Sequence, residues 1–104
     1  MYELQTEEEF KSLLAKHKYV LFDFYAKWCG PCKKLTEDII TFNSREENKH
    51  LFIVKVNVDN FNSLCESNNI SSLPTLKLFI NGNEKIELVG YDKSHMQTLQ
   101  NLIN

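Results

Sequence analysis

Residues 23–35 read DFYAKWCGPCKKL. Cys29 and Cys32 stand there two residues apart, just past an apolar and aromatic run, YVLFDFY, that begins at Tyr19. A run of that kind has the pattern of a strand covered on both faces. Asp23 interrupts it with a carboxylate. Pro31, between the cysteines, suits the first turn of a helix, because the N–H it lacks is one that turn leaves unpaired anyway. The stretch therefore predicts a buried strand that passes directly into a helix, with a C-x-x-C pair at the junction.

Working outward, the chain has 104 residues, enough for one domain with a single modest core, and the domain is read as 1–104. Its composition, 42% hydrophobic and 25% charged, is that of a folded globule. The net charge of −2 supplies no electrostatic footprint for nucleic acid or an anionic membrane, and the apolar runs stop short of a bilayer span. The opening residues, MYELQTEEEF, carry no basic-then-apolar leader. An odd count of three cysteines without such a leader fits a reducing compartment, and a cytoplasmic setting is expected.

The remaining elements follow from periodicity and turn chemistry. YELQ is a short first strand. Thr6 and Glu9 form a T-x-x-E capping box that opens a helix with Phe10, Leu13 and Leu14 on one face. The helix after Cys29 buries Leu35, Ile39 and Phe42, and SREENKH is a solvated loop. LFIVKVNV (51–58) is a second central strand, followed by a short helix marked by Phe61, Leu64 and Cys65. TLKLFI and KIELV flank Asn81-Gly82-Asn83, a hairpin signal. A last helix, capped by Asp92, buries Met96, Leu99 and Ile103. The order βαβαβαββα predicts an α/β fold with a mixed sheet and helices on both faces.

A C-x-x-C on the first turn of a helix sets both thiols on one face, close enough to form and open a disulfide. Cys29 lies at the helix N-terminus, where unpaired N–H groups and the helix dipole favour a thiolate. Cys32, one turn further in, is more shielded. An exposed nucleophile with a protected second thiol is the apparatus of thiol–disulfide exchange. Two other readings fit less well. A zinc half-site needs two more ligands, and His17, His50, His95 and Cys65 show no paired spacing, so no metal site is expected. A permanent structural disulfide closing so short a loop stabilises little.

In its WCGPCK motif after an acid-bearing apolar strand, and in the later SLPTLKLF, NGNEK and VGYDK, the chain resembles the thioredoxins over nearly its whole length. The resemblance implies a thioredoxin fold and reduction of protein disulfides. It implies Cys29 as the attacking thiolate, Cys32 as the resolving thiol, and no bound cofactor beyond their redox disulfide. Asp23 then matches the family's buried acid, and Lys55 the lysine that approaches it. Taken alone, Asp23 also reads as an outward-facing residue of a half-exposed strand, and Lys55 as a snorkelling surface lysine. The resemblance makes Leu73–Pro74, with a cis bond, together with Trp28, Gly30, Pro31 and Gly90, a shallow substrate groove. It also implies a monomer recharged by an NADPH-dependent, flavin-containing thioredoxin reductase, with peroxiredoxins or reductases among its substrates.

Several residues stand apart. Many relatives have a proline where this chain has Glu37, which predicts a straighter helix. Lys27 adds positive charge beside Cys29. Cys65 reads as a buried structural thiol, and the three histidines as solvent-facing. Two alternatives to the reductase remain open: an oxidase, isomerase or glutathione-coupled domain, and a non-catalytic subunit that holds a partner through the groove at Trp28.

Overall fold

The apolar run becomes the central strand of a five-stranded sheet in a computed structural model describing residues 1–104. Along the chain the strands are β1 (Tyr2–Glu3), β2 (Tyr19–Tyr25), β3 (Phe52–Asn57), β4 (Thr75–Ile80) and β5 (Asn83–Val89). Between and after them come helices α1 (Glu8–Lys16), α2 (Gly30–Ser44), α3 (Asn62–Ser67) and α4 (Ser94–Ile103). The spatial order is β1-β3-β2-β4-β5. β1, β3 and β2 run parallel, while β2–β4 and β4–β5 are antiparallel. The mixed thioredoxin-type sheet is thus present, with its elements in the expected order.

The alternation of side chains along β2 decides which helix covers which residue. Val20, Phe22 and Phe24 enter a core layer with Phe10 of α1 and Leu64 of α3. Leu21 enters the opposite layer, with Leu35, Ile39 and Phe42 of α2 and Leu99 and Ile103 of α4. Each such fully buried side chain contributes about 1.5–3 kcal/mol relative to exposure. Asp23, two residues beyond Leu21, falls on the face that α2 covers. The β4–β5 turn places Asn81 and Gly82 at φ 54° and 82°, the left-handed pair that a two-residue hairpin turn demands.

Several details correct the sequence reading. Only half of the capping box forms. The Glu9 carboxylate accepts from the N–H groups of Thr6 (3.0 Å) and Gln5 (2.7 Å) and from the Tyr2 hydroxyl, but the Thr6 hydroxyl makes no return bond, and α1 begins at Glu8. The stretch expected to be a solvated loop contains a 3-10 turn at Glu46–Asn48, and Asn48 is wholly buried. Its amide donates to the Phe42 carbonyl and exchanges two hydrogen bonds with Gln100 of α4, which satisfies the polar group that burial strips of water. The histidines are not simply solvent-facing either. His17 stacks on Phe52 with ring centroids 4.0 Å apart, and His95 bonds the Gly90 carbonyl; only His50 is exposed, and it reaches the Ile103 carbonyl. α2 spans Gly30–Ser44 and includes Glu37.

Candidate active site

Cys29 occupies the N-cap position of α2, in an extended backbone conformation, with Gly30 and Pro31 as the first two helical residues. Its Sγ accepts a hydrogen bond from the Cys32 N–H at 3.2 Å, one of the donors that a helix start leaves over. A disulfide joins Cys29 and Cys32, whose Cα atoms are 5.3 Å apart. Both sulfurs belong to a small apolar cluster with Tyr25 and Ala26. Cys29 is only 6% exposed and Cys32 2%, so the expectation of an openly exposed nucleophile is corrected: only an edge of Cys29 reaches the surface. Gly30 and Pro31, both exposed, leave that edge uncovered, and a Cβ built on Gly30 would meet nothing within 4 Å.

Asp23 lies in β2 between Leu21, which packs with Leu35 of α2, and Tyr25, which packs with both cysteines. That brackets the carboxyl beneath the first turn of α2. It has no exposed surface, and neither oxygen has a hydrogen-bond partner. Desolvation therefore dominates and raises its pKa to about 7, opposed in part by the Lys55 cation and reinforced by Glu3. The reading of Asp23 as an outward-facing residue is excluded. Lys55 pairs with Asp23 in the β2–β3 register and is half-buried, its ammonium 4.1 Å from the centre of the Tyr25 ring. The Tyr25 hydroxyl donates to Glu3 at 2.8 Å, and burial together with that carboxylate pushes the phenol up to about 12.

Leu73, on the segment that follows α3, packs against the cysteine cluster. The Leu73–Pro74 bond is cis, and the Gly90 N–H donates to the Pro74 carbonyl at 2.7 Å. Gly90 has φ +80°, a conformation that disfavours any residue with a side chain. Trp28 is 71% exposed, and its indole N–H donates to Asp59 at 3.1 Å. Asp59 was not singled out from the sequence, and its position just past a buried strand is the only local signal it carries. Trp28, Val58, Asp59, Cys65, Ile70 and Leu73 line a hollow of about 330 Å³. Cys65 is thus half-buried rather than buried, and desolvation raises its thiol pKa. Of the residues expected at the site, Cys29, Cys32, Asp23 and Lys55 gather around the start of α2. Trp28 and Leu73 share the hollow, while Pro74 and Gly90 are joined by their hydrogen bond.

The arrangement can hold a dithiol or a disulfide, stabilise one thiolate at a helix terminus, and store a proton on a carboxyl that ionises near neutrality. Comparison with known proteins points the same way. The family model described as Thioredoxin matches residues 2–104. A thioredoxin of Chlamydia pneumoniae is 41% identical over 104 residues, covering 100% of this chain and 97% of its own. Thioredoxin-1 of Saccharomyces cerevisiae is 39% identical, with 85% and 84% covered. The solution structure of the oxidised thioredoxin from Plasmodium falciparum is 31% identical, with a TM-score of 0.82 over 99% of this chain and 94% of that one.

Proposed function

This chain belongs to the thioredoxin family and is a thiol–disulfide oxidoreductase that reduces protein disulfides, and we propose how its residues divide that work. Cys29, as thiolate, attacks one sulfur of the substrate disulfide and forms a mixed disulfide, and the other substrate sulfur leaves as thiolate. Cys32 then attacks the Cys29 sulfur, the substrate departs as a dithiol, and the Cys29–Cys32 disulfide remains with the chain oxidised by two electrons. Asp23 takes the Cys32 proton as that attack begins, and Lys55 keeps the carboxyl ionisable. The observation that carries this reading is the disulfide at the N-terminus of α2, bonded by the Cys32 N–H and set above a buried carboxyl without partners.

Trp28, Gly30, Pro31, Leu73, Pro74 and Gly90 receive the substrate chain. A groove that engages extended backbone reads little side-chain information and so accepts many proteins, peroxiredoxins and reductases among them. Thioredoxin reductase with NADPH recharges the disulfide; the WCGPC motif supports this reading. A reducing compartment, the cytoplasm, suits the unpaired Cys65. A monomeric state is supported by the edge strand β5, whose exposed Glu84, Lys85 and Glu87 discourage strand addition.

Insulin disulfide reduction tests the reading. With the full chain as carrier, precipitation of the insulin B chain should be driven by NADPH and thioredoxin reductase. Drive by glutathione and its reductase alone would assign the chain to a glutathione-coupled cycle. No reduction with either donor, while a partner protein still binds at Trp28, would make it a non-catalytic subunit.

A further inference from the structure

A second hollow of about 330 Å³ opens beside Cys32 and shares no lining residue with the one under Trp28. Its wall carries three ammonium groups, on Lys27, Lys33 and Lys55, and no carboxylate. None of the three lies within 4.0 Å of an acidic side chain, because both ion pairs in the chain are made by Lys77. Asp23 is wholly buried, Glu3 accepts the Tyr25 hydroxyl, and Glu37, exposed one helical turn beyond Lys33, makes no ion pair with it. Lys27 and Lys33 are exposed, so their charges stay hydrated and available. The chain as a whole carries 14 acidic and 12 basic residues, so this is a local excess of the sign opposite to its net charge.

Position gives the excess a use. Cys32 lines the hollow and is bonded to Cys29, so a protein docked by its disulfide on Cys29 brings its flanking residues within reach of the three lysines. We propose that this hollow is a carboxylate subsite, which receives an aspartate or glutamate side chain lying close to the disulfide of a protein substrate. The proposal rests on the reductase reading and narrows it to a substrate class: disulfides with acidic neighbours are reduced faster than the same disulfides with neutral or basic ones. Single exposed ion pairs are weak, but two or three acting together give a preference of roughly three- to tenfold at low salt.

The test uses the pre-reduced full chain and three peptides with one disulfide each, identical except for Glu, Gln or Lys on both flanks of the bridge. Second-order rates should fall in the order Glu, Gln, Lys. The spread should shrink at about 1 M salt, where the screening length is ~3 Å. In Lys27→Gln/Lys33→Gln the ratio of Glu to Gln rates should drop close to one. Taking a ratio within one protein cancels any change in the reactivity of Cys29 itself. Lys49→Gln/Lys85→Gln, with the same loss of charge outside the hollow, should keep the preference. Equal rates for the Glu and Gln peptides in the unmodified chain would overturn the proposal, as would a preference that survives the Lys27/Lys33 change or vanishes equally with the Lys49/Lys85 one. Failure of the reductase reading looks different: no peptide of any charge would be reduced, and both would fall.

Discussion

Asp23 and Lys55 stand opposite each other on adjacent parallel strands, yet they form no ion pair. The carboxyl is wholly buried without a hydrogen-bond partner, and the ammonium sits over the Tyr25 ring instead. A buried acid held this way destabilises the fold whenever it is ionised.

The pH dependence of stability follows from that relationship. Burial raises the folded pKa of Asp23 to about 7 from an ordinary 3.8. Between those values the folded chain binds more protons than the unfolded one, so Asp23's contribution is intact below the lower value and is lost as pH rises through the upper. Asp23→Ala should be more stable than the unmodified chain at pH 8 by a few kcal/mol, on the order expected for a shift of this size. That advantage should disappear near pH 4, where the cavity left by the truncation remains as a cost. Denaturant midpoints across the pH range check it, and insulin reduction by the variant should be slowed at neutral pH. A stability difference that does not change with pH would contradict the assignment.

Lys55 lowers the Asp23 pKa that burial raises. Lys55→Met should therefore move the carboxyl titration above about 7 and carry the loss of stability to higher pH with it. NMR titration of the Asp23 carboxyl carbon measures this directly. An unchanged midpoint would mean that the cation over Tyr25 is electrostatically silent at Asp23.

The cysteines should separate by reactivity. Cys29 has the helix-terminal N–H groups, whereas desolvation raises the thiol pKa of Cys65. Iodoacetamide at mildly acidic pH should label reduced Cys29 well before Cys65, read by peptide mass spectrometry. Cys32→Ser should accumulate a mixed disulfide with substrate, and Cys29→Ser should not. Equal trapping by the two variants would reverse or dissolve the assigned roles.

Asn48 tests the packing far from the sulfurs. It bonds the end of α2 to α4 through the Phe42 carbonyl and Gln100. Asn48→Ala should cost about 2 kcal/mol, because the Gln100 amide and the Phe42 carbonyl lose a buried partner. Insulin reduction at a permissive temperature should be unaffected. A neutral effect on the denaturant midpoint would show that water replaces the network.

What the sequence determined by itself is local. The C-x-x-C at a strand-to-helix junction is legible because helix-terminal chemistry acts over three or four residues, and Pro31 marks the first turn. The Asn81-Gly82 turn is legible because its left-handed backbone excludes most other residues. The apolar faces of α2 and α4 repeat at helical spacing, so Leu35, Ile39, Phe42, Leu99 and Ile103 could be named in advance, while Met96, expected with them, is only half-buried. The tertiary structure alone decided what depends on partners far along the chain. Whether Asp23 is sealed depends on which helix covers its face of β2, since a strand with a carboxylate reads alike in either case. Trp28 is held by Asp59, 31 residues away, and Asn48 by Gln100, 52 away. Lys77 lies buried in mid-strand because β5 brings Glu84 and Glu87 to its ammonium. The three-lysine hollow draws on β2, α2 and β3 at once. A buried polar group needs a partner or bears a desolvation cost, and which of the two applies is set only when distant segments are packed together.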